Sequence, residues 1–203
     1  PKIFPEEPSY AVIMPMSAKT EDMFRAKKKL LQDTIDKLKK EGKRTVLVPF
    51  DEFAKIFNLK VRSAYDLPGV ILPTVLKSGL TWFGSYASTE KYETLYKKAT
   101  EIFKKHEFHS PILYGKIMKY GHYGIFRPIL PYNKYDEEEE VHQIMEDIVE
   151  MALEEGAIPY KTPTWMTEKM RKKINPGWLK LFEKIKSAMD QNNIFNPGRW
   201  NTE

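Results

Sequence analysis

Two short stretches of the sequence carry side chains that can bind or polarise an anionic oxygen. The first is Tyr160-Lys161, which offers a hydroxyl donor beside a fixed positive charge. A cation in a partly dry pocket stabilises a phenolate or carboxylate far more strongly than it does in water. The same pair also fits a strand-end tyrosine packed on the core and a solvated lysine, so the residues alone leave both interpretations open.

The second stretch contains His122, Tyr123 and Arg127. Histidine exchanges a proton near neutral pH, and the guanidinium of Arg127 is a planar fork that matches a carboxylate. Tyr123 and Phe126 bracket the site with aromatic rings, which suit a bound ring system or ordinary core packing. A hairpin-turn histidine and a strand arginine with structural hydrogen bonds would explain the same residues.

Other kinds of catalytic chemistry find little support. His106 and His109 are three residues apart, a spacing that permits metal ligation, but no third ligand is obvious near them, and we predict no metal site. No serine-histidine-aspartate set or pair of catalytic carboxylates can be identified. The acidic run from Glu137 to Glu140 fits the solvated first turn of a helix, where negative charge suits the helix dipole.

Composition sets the broad class of the protein. The chain has 203 residues, 41% of them hydrophobic, with a net charge of +5 and no cysteine. It is therefore long enough for one large domain or two small ones, and disulfide scaffolds, thiolate metal sites and cysteine nucleophiles are excluded. No apolar run reaches the roughly 20 residues of a membrane span, so we expect a cytoplasmic protein. Because the sequence begins at Pro1 without methionine, we expect a fragment or one processed product of something larger.

The positive charge is locally concentrated. Eight basic residues lie between Lys27 and Arg44, on one predicted helix and its exit. An alternative function follows from them: a non-catalytic basic α+β interaction module that binds nucleic acid or an acidic partner. No zinc spacing, Gly-rich phosphate cradle or aromatic RNA-binding strand accompanies this basic face, which equally fits plain solvated surface.

Hydrophobic periodicity predicts the elements that must position these residues. Helices are expected over 20–41, from Ser88 or Thr89 to about Phe103, and over 136–155, with shorter ones over 167–173 and 178–189. Strands are expected over 10–14, 45–48, 80–86, 112–118 and 123–130, with a last short one within 157–161.

Their order predicts an α+β fold. We expect two ferredoxin-like β-α-β halves that form a mostly antiparallel sheet with helices packed on one face. The Pro- and Gly-rich segment 58–79 is the expected connector between the halves. On this basis residues 1–163 form the α+β domain, and residues 164–203 form a helical C-terminal segment and arm.

The arm carries the most informative motif. The ten residues from Asp190 to Arg199 read DQNNIFNPGR and follow an amphipathic helix. They resemble the C-terminal signature of the FAD-linked oxidases of the vanillyl-alcohol oxidase and p-cresol methylhydroxylase superfamily, Asp-Pro-x-(Gly or Asn)-Ile-hydrophobic-Asn-Pro-Gly-Lys. Gln191 stands in place of the family's proline, and Arg199 in place of its lysine.

A second match lies upstream, where residues 154–162 read EEGAIPYKT. This segment resembles the Gly-x-x-x-Tyr-Arg-Thr-His segment of the aryl-alcohol branch, which places a tyrosine and an arginine against the phenolic end of the substrate. Tyr160 matches the tyrosine and Lys161 the arginine, whereas Pro163 stands where the family has histidine. The resemblance extends over about residues 8–203.

The resemblance implies the C-terminal substrate (cap) domain of an FAD-dependent oxidoreductase. Such an enzyme oxidises an alcohol, phenol or 2-hydroxy acid by hydride transfer to flavin. No Gly-rich pyrophosphate loop is found in the sequence, so FAD would be bound mainly by a partner domain or chain, without which this chain would be inactive. The resemblance implies contacts to substrate or flavin by three groups of residues: Tyr160, Lys161 and His122 as catalytic, Arg127 and Tyr123 as substrate-binding, and Asn196 and Arg199 as cofactor-binding residues.

Overall fold

The chain divides into two units, Pro1–Thr74 and Val75–Glu203. The computed structural model describes residues 12–56, 58–61, 66, 69, 76–109 and 111–197. The boundary between the units falls inside the segment that the sequence predicts as a connector.

The first unit contains two helices, α1 (Glu21–Lys40) and α2 (Phe50–Ile56). The predicted α1 is confirmed at both ends. The side chain of Thr20 accepts a hydrogen bond from the amide of Met23 at 3.3 Å, and Gly42 takes a left-handed φ of +78° just beyond the last turn. A capping hydroxyl satisfies an amide that lacks a helical partner, and glycine tolerates this φ without a steric penalty.

The strands predicted on either side of α1 do not form in the described residues. Residues 12–14 and 45–48 are irregular, and residues 10 and 11 lie outside the described part of the chain. Val12 is 75% exposed and Val46 71% exposed. A β-branched run becomes a strand only when a neighbouring strand and a packed face stabilise it, and the described part of the chain provides no neighbouring strand for these runs. The prediction of a first ferredoxin-like β-α-β half is therefore not confirmed.

The second unit is α+β, as predicted. Its helices are α3 (Tyr92–Lys105), α4 (Glu138–Glu154), α5 (Thr164–Arg171) and α6 (Pro176–Met189). Its strands are β1 (Gly79–Trp82), β2 (Ser85–Ser88), β3 (Ile112–Ile117), β4 (Tyr123–Tyr132) and β5 (Ile158–Pro159). The single strand expected over 80–86 is in fact two, because the chain is interrupted at Phe83-Gly84.

Strand β4 is the centre of the sheet, and every pairing is antiparallel. One edge of β4 pairs with β3, and the other pairs with β1 and β2 in succession. Strand β5 then pairs with β2. This arrangement confirms the expected mostly antiparallel sheet.

The two faces of the sheet differ because side chains alternate along each strand. On one face, Phe126 and Leu130 of β4 are fully buried in a core shared with Leu95 of α3 and Ile144 and Ile148 of α4. The opposite face, which we call the open face, carries half-buried or exposed side chains at the intervening positions, among them Trp82, Tyr86, Tyr114, Lys116, Tyr123 and Arg127. Within the described residues, no helix is both long and apolar enough to cross a membrane.

Candidate functional site

Arg127 and Tyr160 meet at the middle of the open face. The Nε–H of Arg127 donates a hydrogen bond to the Tyr160 hydroxyl oxygen at 2.8 Å. Arg127 reaches this position because it alternates with the buried Phe126 along β4. Tyr160 follows the short strand β5, and its amide donates to the carbonyl of Gly84 at 3.1 Å. The structure thus joins two residues that are 33 positions apart in sequence.

Gly84 makes room for the Tyr160 ring. A Cβ atom at position 84 would lie 2.2 Å from the Tyr160 hydroxyl oxygen and 2.3 Å from the ring carbon that bears it. Ordinary carbon contacts are about 3.5–4.0 Å, so no other residue fits without moving the tyrosine. The absence of a side chain at the break between β1 and β2 therefore fixes where the Tyr160 hydroxyl lies.

Aromatic rings surround this pair. The guanidinium carbon of Arg127 lies 5.3 Å from the ring centroid of Tyr114 and 5.7 Å from that of Tyr160. The ring centroids of Tyr86 and Tyr160 are 5.2 Å apart, and the ammonium of Lys161 lies 5.6 Å from the Trp82 ring centroid. Cation–π contacts of this kind hold a charged group without neutralising it. The open face is therefore an aromatic surface whose cations include Arg127 and Lys161.

Neither Arg127 nor Lys161 has a carboxylate partner in the part of the chain that the structure describes. Arg127 and Lys161 take part in none of its ion pairs, and the five strands contain no aspartate or glutamate. The Tyr160 hydroxyl accepts the bond from Arg127, which leaves its own proton free to be donated. The arrangement can therefore bind an anionic or electron-rich oxygen and donate hydrogen bonds to it.

Tyr123 joins the edge of this surface, whereas His122 does not. The Tyr123 ring packs edge-on against Tyr86 with centroids 5.9 Å apart. His122 precedes β4 in the hairpin turn, and its side chain is exposed. Its carbonyl accepts bonds from the amide and hydroxyl of Thr89, so the contact that the structure records for His122 is made by its backbone.

The C-terminal arm is organised by Asp190. Its carboxylate accepts bonds from the amides of Ile194 and Phe195 at 2.7 and 2.9 Å, and from the ammonium of Lys186. Burial raises the pKa of Asp190, but the bonds from Lys186 and the two amides outweigh this effect and bring the pKa below its ordinary value. The Ile194 and Phe195 side chains are exposed, at 69% and 67%.

The two arm residues predicted to contact the cofactor are not placed at the open face by any recorded contact. Asn196 is exposed and takes a left-handed φ of +49° in the turn that follows the Asp190 carboxylate. Arg199 lies outside the described residues. The cofactor-binding role of both residues stays a prediction.

Two further polar groups lie away from the open face, against the helices. The Nε2 atom of His106 lies 2.9 Å from an Asp147 carboxylate oxygen, and this contact, with bonds from Lys105 and Gln143, holds the pKa of Asp147 below its ordinary value despite partial burial.

Burial raises the pKa of the Tyr92 hydroxyl far above its ordinary value. That hydroxyl has no hydrogen-bond partner among the described residues. No cluster of three or more potential metal ligands occurs in the described ranges.

The basic face of α1 is partly compensated within the helix. Lys29 pairs with Asp33 at 2.6 Å and Arg25 with Glu21 at 3.2 Å, each one helical turn apart. Exposed pairs of this type contribute little to stability, but they reduce the positive field of the helix.

Sequence reasoning missed Trp82, Gly84, Tyr86 and Tyr114. The alternation within 80–86 places positions 82, 84 and 86 on the same side of a strand, which was a usable signal. Tyr114 needed the register, because it faces Arg127 only through the pairing of β3 with β4.

Comparisons with known proteins agree with this architecture. The family described as FAD linked oxidases, C-terminal domain, matches residues 87–200, more than half of the chain. Among solved structures, p-cresol methylhydroxylase with substrate bound is similar to this chain, with 18% identity and a TM-score of 0.60 over 89% of this chain and 36% of that one. The 4-ethylphenol oxidase of Gulosibacter chungangensis, in complex with isoeugenol, gives 17% identity and a TM-score of 0.55 over 76% of this chain and 31% of that one.

At these identities, the structural likeness shows the fold alone. This chain spans about a third of the length of either solved structure. No curated protein matches the sequence.

Proposed function

This chain belongs to the C-terminal domain family of the FAD-linked oxidases, and we propose that it is the substrate-binding part of an FAD-dependent oxidoreductase of the vanillyl-alcohol oxidase and p-cresol methylhydroxylase type. The reaction is oxidation of an alcohol, phenol or 2-hydroxy acid by hydride transfer. The observation that carries the proposal is the Arg127–Tyr160 pair on an aromatic sheet face. Such a face can cover a planar cofactor and orient a small substrate against it.

The donor set of the open face fits a flavin and an oxygen-bearing substrate. Trp82, Tyr86 and Tyr114 are each between 38% and 44% exposed, and so offer ring surface to a planar ring system. The flavin, when bound mainly by another domain, supplies the hydride acceptor. The residues of this chain bind, orient and exclude water.

We assign each of these residues a separate role in binding or orienting the substrate and the flavin. Tyr160 donates a hydrogen bond to the substrate oxygen, and Lys161 stabilises negative charge that develops there. Arg127 holds Tyr160 through the 2.8 Å bond and contacts an anionic substrate group. Tyr123 borders the site, and His122 contributes only if the hairpin turn is brought towards the substrate. Asn196 and Arg199 of the arm contact the flavin-binding domain or the cofactor, and residues 164–203 pack towards that domain.

The test uses this chain together with the flavin-binding polypeptide encoded next to it or in the same reading frame. We expect a yellow complex whose flavin absorbance is bleached anaerobically by an aromatic alcohol such as 4-hydroxybenzyl alcohol. The Tyr160→Phe variant should form the same complex and bleach it at least tenfold more slowly, because one charge-stabilising donor is lost.

The control is this chain alone with free FAD, which we expect to give no substrate-driven bleaching. If this chain alone with free FAD were bleached as fast as the complex, the proposal that a separate domain binds the flavin would be refuted. Salt-sensitive copurification of nucleic acid with a colourless chain would favour the basic interaction module instead.

A further inference from the structure

The charge of the open face indicates what kind of substrate it takes. Arg127 is half-buried, and within the described residues its guanidinium has no acidic partner. A partly desolvated charge is normally paired, because removing it from water is costly. The cation–π contacts with Tyr114 and Tyr160 offset part of this cost but leave the positive charge in place.

The hydrogen-bonding capacity of Arg127 is only partly used. Its Nε–H is bonded to Tyr160, which leaves the two terminal NH₂ groups side by side and without a protein acceptor among the described residues. That edge matches the two oxygens of a carboxylate, which accept a pair of parallel bonds. A phenolate has one oxygen and cannot satisfy both groups in this way. The fork is also preorganised, because Tyr160 fixes its orientation before any ligand arrives.

The surroundings of the fork favour an aromatic body on the same ligand. Tyr86, Tyr114 and Trp82 expose ring surface on the same face, and Lys161 places a second positive charge over Trp82. An aromatic ring stacks on such surfaces, whereas a short aliphatic acid would leave most of them in water.

We propose that the open face binds an aromatic carboxylate, with the carboxylate on the terminal nitrogens of Arg127 and the ring against Tyr114 and Tyr86. Lys161 adds long-range attraction, and the Tyr160 hydroxyl is left to donate to a second oxygen on the ligand. This inference rests on the proposed function, since it names the substrate class of the same site.

The test is a nuclear magnetic resonance titration of the full chain with three matched probes: benzoate, benzamide and phenol. We expect benzoate to shift the Arg127 Nε–H and Trp82 indole signals and to bind at least tenfold more tightly than benzamide, which has the same shape without the charge. Phenol should bind no more tightly than benzamide at neutral pH, where it is uncharged. If phenol at alkaline pH bound more tightly than benzoate, the site would be a phenolate site and the proposal would be wrong.

Three variants test which residues are responsible for benzoate binding. Arg127→Met should weaken benzoate binding at least tenfold, and Lys161→Met should weaken it less because Lys161 is exposed. Lys134→Met is the matched control, since Lys134 also lies over a tyrosine ring, Tyr135, but outside the open face. It should leave benzoate binding unchanged.

Arg127→Lys keeps the charge without the fork, and it covers the case in which Arg127→Met fails to fold. An intermediate loss of benzoate affinity is expected from it. Undiminished binding in Arg127→Lys would show that the fork is not used, and equal binding of benzoate and benzamide by the wild-type chain would refute the carboxylate site.

These outcomes separate the inference from the proposed function. A complex with the flavin-binding polypeptide that is bleached equally well by neutral and carboxylated aromatic alcohols would retain the function and refute the carboxylate preference. Selective binding of benzoate by a chain that forms no flavin complex would do the reverse.

Discussion

Replacing Gly84 by alanine should break the Arg127–Tyr160 pair while leaving the sheet intact. The new Cβ would lie 2.2 Å from the Tyr160 hydroxyl oxygen, so the ring must move by about 1 Å or more to reach ordinary contact. The present 2.8 Å bond would then lengthen to roughly 4 Å, beyond hydrogen-bonding distance.

The energetic cost should be modest because the clashing atom is at the free end of a half-buried side chain. Losing one bond from a charged donor at a partly exposed position costs about 1 kcal/mol, and moving the ring adds a similar amount at most. We therefore expect Gly84→Ala to lower the free energy of unfolding by about 1–2 kcal/mol, as measured by urea denaturation.

Two observations check this reasoning. The Arg127 Nε–H signal, protected by Tyr160 in the wild-type chain, should exchange rapidly with solvent in Gly84→Ala. In a Tyr160→Ala background, Gly84→Ala should lower the free energy of unfolding by less than about 0.5 kcal/mol, because the tyrosine ring that would clash with the new Cβ is absent. A protected Arg127 signal in the variant, or an equal cost in both backgrounds, would refute the role given to Gly84.

Three further predictions concern groups away from the open face. Asp147→Asn should lower the free energy of unfolding by about 1 kcal/mol at pH 7, because a neutral amide replaces the charged carboxylate that contacts His106. The pKa of Asp147 is lowered in the folded chain, so this stabilisation is present above the ordinary aspartate pKa and disappears as the pH falls through the lower folded pKa. The difference in urea stability between wild type and variant should accordingly shrink as the pH falls below the ordinary aspartate pKa, and a difference that stays constant with pH would contradict the assignment. Tyr92→Phe should leave thermal stability unchanged or raise it, since the buried Tyr92 hydroxyl has no hydrogen-bond partner among the described residues. A clear loss of thermal stability would show that this hydroxyl does form a hydrogen bond. Asp190→Ala should release the arm, seen as faster amide hydrogen exchange at Ile194 and Phe195, with Lys172→Ala on an exposed helix surface as the control; unchanged exchange would show that the carboxylate does not order the turn.

Much of the fold was predictable because it depends on local pattern. The 20-residue helix α1 has a capping threonine before it and a glycine after it, and such signals act over a few residues. The same holds for β4, whose burial alternates along most of the strand, and for α4, whose apolar spacing spans the whole helix. The strand predicted over 45–48 shows the limit: its residues have the composition of a strand, but a strand also needs a partner.

The candidate site was predictable only in part. Tyr160, Lys161 and Arg127 were proposed from residue type and from the family resemblance, and their roles stay predictions. Their neighbour Tyr114 was missed because only the register of β3 against β4 brings it to Arg127, and Gly84 was missed although the alternation within 80–86 places it on the same side as positions 82 and 86. His122 lies in the hairpin turn with an exposed side chain, as one of the two interpretations of the sequence expected, and its catalytic role stays a prediction.

The sequence by itself determined the class of this protein: α+β, without cysteine chemistry, and related to the C-terminal domains of FAD-linked oxidases through the motif that begins at Asp190. Only the tertiary structure decided which residues lie together in the candidate site. Antiparallel pairing brings Tyr114 opposite Arg127, and the glycine at the break between β1 and β2 lets Tyr160 reach the same arginine. These contacts join positions tens of residues apart. They depend on register and on close approach of the backbone, which no local pattern of residue types encodes.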